Sequence, residues 1–84
     1  MQTTWHAVQP YVRTKTGRYD RGPLQPCQSA DSARRLAERL VDNGSAVGAV
    51  ALTRLVDLEE GEYADPEVLA SFGEVPGEEA DLPF

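Results

Sequence analysis

Residues Ser29 to Gly44 constrain the fold more than any other part of the chain. Ala30, Ala33, Leu36, Ala37, Leu40 and Val41 recur at helical spacing and make one apolar stripe. Ser32, Arg34, Arg35, Glu38, Arg39 and Asp42 fall on the wet face, where Arg34 and Glu38 form an i,i+4 pair. Ser29 or Asp31 can accept from the orphan amides at the helix start. Asn43-Gly44 supplies the left-handed residue that ends the helix. Such a helix must bury its stripe, and the next segment offers the surface. Ala46 to Asp57 is apolar on both faces until Arg54, the pattern of a central strand. Its small residues Gly48, Ala49 and Ala51 let a helix approach closely.

The flanking segments complete a sheet. Thr4 to Thr14 has strand character through Trp5, Val8, Tyr11 and Val12, with Trp5 expected in the core. Pro10 lacks an amide hydrogen, which predicts an edge or bulged strand there. Lys15-Thr16-Gly17-Arg18 is a turn, and Arg18 to Asp20 return briefly as a strand. Gly22-Pro23 and Pro26 force irregular extended chain up to Ser29. Leu58 to Glu62 is a turn, and Glu67 to Val75 is a return strand with Val68, Ala70 and Phe72 on one face. The expected architecture is α+β: a small, mostly antiparallel sheet of three to four strands in the order β–loop–α–β–β, with one helix on one face. Residues 1–77 form the single domain and residues 78–84 an acidic tail. The other sheet face is expected to be half open, a surface suited to a dimer or a partner. A domain of 84 residues hides only about 60–65% of its unfolded surface, so a partner would help it.

The charge is two-signed. Residues 1–42 carry seven basic and four acidic side chains, +3; residues 43–84 carry one basic, Arg54, and ten acidic, −9. The sum is −6, and an acidic chain with a pI near 4.6 is not a typical nucleic-acid binder, because phosphate attraction needs a basic face. No apolar run nears the roughly 20 residues of a membrane span, and no secretory signal is visible. One cysteine cannot make an internal disulfide, which fits a reducing cytoplasm. Cys27 and His6 are too few for a structural zinc site, and no phosphate loop or dinucleotide fingerprint occurs. No cofactor or metal is expected.

The acidic belt is the main candidate site. Asp57, Glu59, Glu60, Glu62, Asp65 and Glu67 lie close together in the chain, and Glu74, Glu78 and Glu79 follow with Asp81. Such density attracts lysines and arginines on a partner and favours fast, specific association. The same residues also read as a solvated loop and tail that keep a small protein soluble. A calcium loop does not fit: counting from Asp57, the glycine falls at position 5 and Val68 at position 12. Arg13, Lys15, Arg18 and Arg21 with Tyr11 and Tyr19 interleaved make a basic patch that reads as a hairpin tip, a phosphate contact or a complement to the belt of another copy. Cys27 precedes the helix start, which would lower its pKa, but nothing in the sequence brings it to His6. No room is expected for a pocket of the usual ~300 Å³, and no catalytic residue is assigned.

Three segments carry a resemblance: Asp31-Ser-Ala-Arg-Arg-Leu-Ala-Glu-Arg-Leu40, Gly48-Ala-Val-Ala-Leu-Thr-Arg54, and the stretch from Gly61 through Tyr63, Pro66 and Phe72 to Pro76. Together, over about residues 5–77, they resemble small proteins of α-proteobacteria and their mobile elements, and among these the anti-CRISPR proteins that inhibit a type I-C surveillance complex (Cascade). The resemblance implies a non-enzymatic, cytoplasmic inhibitor that binds the complex as a monomer or homodimer and blocks target DNA. A guide–target channel is lined by positive charge, which an acidic belt would complement. The alternative is a host interaction or regulatory domain, dimeric through the open sheet face.

Overall fold

The computed structural model describes residues 2–75. Along the chain run β1 (Gln2–Arg13), β2 (Tyr19–Arg21), β3 (Gln25–Cys27), α1 (Ala30–Asp42), β4 (Gly48–Asp57), β5 (Glu62–Tyr63) and β6 (Glu67–Gly73). The protein is a small α+β fold with one helix on a curled antiparallel sheet of six strands. Two short strands, β3 and β5, form where the sequence reads as loop. Two long strands are the centre: β1 and β4 pair over Gln2↔Asp57 through Tyr11↔Gly48. Each is flanked by two short strands laid end to end, β3 and β2 along β1, β6 and β5 along β4.

Helix α1 starts at a capping box. The Ser29 side chain accepts from the Ser32 amide at 3.1 Å, and the Ser32 hydroxyl oxygen accepts from the Ser29 amide at 3.1 Å. Asn43 is the C-cap and Gly44 follows at φ 79°, where a side chain would be strained. Arg34 turns back to Asp31, 3.0 Å away, rather than forward to Glu38. Ala33 and Ala37 are fully buried against Val8, Ala49 and Ala51, with Leu36, Leu40, Val41, Leu69 and Phe72 packed around them. Small residues on both surfaces bring helix and sheet close, as the sequence implies.

Proline placement explains the second half of the sheet. Pro10 sits inside β1, a central strand and not an edge, opposite Gly22 where β2 ends. Gly22 N–H donates to the Pro10 carbonyl at 2.9 Å, but Pro10 has no hydrogen to return. The neighbouring side chain supplies it: Gln9, 1% exposed, donates from Nε2 to the Gly22 carbonyl at 2.9 Å and to the Pro10 carbonyl at 2.8 Å. Pro26 stands opposite Ala7, between the hydrogen-bonded pairs at His6 and Val8, so its missing hydrogen faces away from β1.

Two expectations about faces change. The pairing of β4 with β6 slips between Ala51 and Leu52, which leaves Leu69 as an extra residue. The bulge turns Leu69 and Phe72 toward the helix and sends Val68 to the opposite face, 39% exposed, so Val68, Ala70 and Phe72 do not share a face. The face away from the helix is not half open along its middle. Ala7, Gln9, Val50, Leu52 and Val56 are buried there, with Tyr11 and Val75 packed on Val50 and Leu52.

Candidate partner-binding surface

Asp57 ends β4 and builds the acidic turn. Its Oδ1 accepts from the amides of Glu59 and Glu60, both at 3.1 Å, an Asx turn that holds two carboxylates out to solvent. Gly61, at φ 68°, lets the chain reverse into β5, where Glu62 pairs with Asp57 and Tyr63 with Val56. Glu59, Glu60, Glu62, Asp65 and Glu67 are exposed and Asp57 is half-buried. The structure therefore gathers Asp57, Glu59, Glu60 and Glu62 at one end of the sheet, with Asp65 and Glu67 following along the edge of β4 as far as Thr53, about 13 Å away.

Glu74 is not among them. It follows Gly73, which pairs with Gly48 at the far end of β4, nine residues from Asp57. At about 3.3 Å per residue that separates Glu74 from the acidic turn by roughly 30 Å. There Glu74 meets the basic N-terminal hairpin, with Oε1 3.2 Å from the Arg13 guanidinium. Arg13 also lies over the Tyr19 ring, 5.0 Å from its centroid. The belt is continuous in sequence but divided in space, and Glu74 is paired with Arg13. Glu78 and Glu79 lie outside the described residues.

On the face away from the helix, this end of the sheet carries an exposed aromatic pair that the sequence does not announce. Trp5 is 41% exposed rather than core, and its ring lies 6.0 Å from that of Tyr63, which is 53% exposed. Arg54 sits 5.3 Å over the Tyr63 ring and donates from Nε to the Ala64 carbonyl at 2.7 Å. Its register opposite Trp5 brings the three side chains together. The signal in the sequence was Arg54 itself, the lone cation of the acidic half. Beside it on the helix-side face, a cleft of about 280 Å³ is lined by Thr4, Thr53, Leu55, Ala64, Asp65 and Glu67.

His6 and Cys27, distant in sequence, are cross-strand neighbours. They line a groove of about 340 Å³ with Thr4, Trp5, Ala7, Leu24 and Pro26, larger than the sequence suggested. Burial pushes the Cys27 thiol pKa up instead of down, and its Sγ faces the Gln25 carbonyl at 3.6 Å. His6 Nδ1 is 3.3 Å from the Thr53 hydroxyl. A raised thiol pKa leaves less thiolate, the nucleophilic form. Among the described residues no three of His, Cys, Asp and Glu come close enough to hold a metal ion, and no helix is long and apolar enough to cross a membrane. Compared with protein-family models, curated proteins and solved structures, the chain has no significant match.

Proposed function

We propose that this chain is a non-enzymatic interaction protein that docks its acidic end onto a basic surface of a protein partner. The observation that supports the reading is the cluster of Asp57, Glu59, Glu60 and Glu62 at one end of the sheet, continued along the same edge by Asp65 and Glu67, beside the exposed Trp5–Tyr63 pair. Carboxylates held out by a backbone turn attract cations over a distance, and a partly exposed aromatic pair gives close contact. The resemblance of the sequence to anti-CRISPR proteins suggests the partner class: a type I-C surveillance complex, whose DNA channel the acidic end would occupy in place of phosphates. Such a target puts the protein in the bacterial cytoplasm.

Changing Glu59, Glu60 and Glu62 together to Lys tests this. The three carboxylates are exposed and none is needed for a strand pair's core contacts, so the circular dichroism stays unchanged. Capture of the surveillance complex, and inhibition of its DNA binding, fall by at least about tenfold, and wild-type capture weakens as salt rises. Unaltered capture by the triple variant would refute the electrostatic reading.

A further inference from the structure

We propose that the free edge at the start of β1 joins two copies of this chain into one continuous sheet. Backbone groups on a strand alternate in direction. The Tyr11 carbonyl accepts from Val47 on the β4 side, and the Pro10 carbonyl accepts from Gly22 on the other. Even-numbered residues of β1 therefore point toward β2 and β3. His6 and Val8 pair there with Cys27 and Gln25, and β3 then ends. Gln2 and Thr4 point the same way with no strand beside them among the described residues, and Gln2 through Trp5 are all exposed.

Other edges of the sheet are blunted. β2 carries Asp20 and Arg21, β3 turns Pro26 outward, β5 is two residues long, and β6 has Glu67 and its bulge at Leu69. The Gln2–Trp5 edge has no charge, no proline and no bulge. It is also its own complement. With a two-fold axis at Thr3, Gln2 lies opposite Thr4 of the second copy and Thr4 opposite its Gln2. Each pair exchanges two backbone bonds, and Thr3 faces Thr3, a favourable cross-strand pair. No charged side chains meet within the pairing, because the first charged side chain of the chain is Arg13. The lap is short, below the ~1,000 Å² of a stable interface, so the dimer is weak and exchanges freely.

Salt separates this contact from the one proposed above, on which it does not rest. Gln2 is the direct neighbour of Asp57, so joining two edges brings two acidic ends together. Salt screens that repulsion and tightens the dimer, whereas it loosens binding to a basic partner. The experiment is sedimentation equilibrium of the full chain up to about 1 mM, at about 0.05 and 0.5 M salt. Wild type dimerises with concentration, more strongly at high salt. Thr4→Pro removes only the outward hydrogen, at a position equivalent to the one Pro10 already fills, and Thr3→Lys puts like charges on the axis. Both variants stay monomeric with unchanged circular dichroism. A wild type that is monomeric throughout would overturn the proposal, as would a Thr3→Lys variant that dimerises like wild type.

Discussion

Replacing Gln9 by Leu tests whether a side chain completes the hydrogen bonding of β1. The side chain is buried and its Nε2 is the donor to the Gly22 carbonyl, at 2.9 Å. Leu fills nearly the same space, so the cavity contribution is small. The Pro10 carbonyl keeps the Gly22 amide. The Gly22 carbonyl, in a half-buried position, loses the donor that stood in for the missing proline hydrogen. Leaving such a group unpaired costs about 1–3 kcal/mol, and partial exposure places it at the lower end, about 1–2 kcal/mol. For a domain of this size that lowers Tm by roughly 4–15 °C. The decisive measurement is a double-mutant cycle in urea at constant m. Pro10→Ala restores a backbone hydrogen aimed at Gly22, so Gln9→Leu in that background costs close to nothing. The coupling between the two positions is then about 1–2 kcal/mol. An equal cost of Gln9→Leu in both backgrounds would show that the side chain stabilises the protein in some other way.

Two further outcomes follow from close packing and burial. Gly48→Ala destabilises by about 3 kcal/mol in urea unfolding, because the added carbon meets the backbone carbonyl of Glu74 and no side chain can move aside. Cys27, with its thiol pKa raised by burial, makes stability fall at alkaline pH: the unfolded thiol ionises first, so pH above the ordinary thiol value favours unfolding. Cys27→Ala flattens that alkaline slope, and iodoacetamide modifies the folded wild-type thiol more slowly than the unfolded one.

Features set by neighbours in sequence were legible in it. The helix, a cap at Ser29 or Asp31 (the structure uses Ser29), the Gly44 stop and the small residues of β4 follow from local chemistry, and with them the α+β class. What depends on register was not. The bulge at Leu69 inverts the exposure expected of Val68, and alternation alone cannot show an inserted residue. Glu74 was grouped with Asp57 because both are acidic and near in sequence, but antiparallel pairing sends them to opposite ends of β4. Trp5 was expected inside because tryptophan is large and apolar. Its exposed place beside Tyr63 comes from pairing β1 with β4, some fifty residues later in the chain. Nothing in the sequence brings His6 to Cys27; the pairing of β1 with β3 does.

The central position of β1 also bears on how the chain reaches its fold. β1 is made first, yet its longest partner is β4, with Val8 opposite Ala51. Contacts of that separation form slowly, and during synthesis at about 5–20 residues per second β1 waits several seconds for β4. Its other partners come sooner: β2 and β3 lie within some twenty residues and can fold back onto β1 locally. The bond from Gln9 to Gly22 ties β1 to the chain that leaves β2 at the proline junction. In the folded chain it acts as a register pin, setting which residues of β1 are left to face β4.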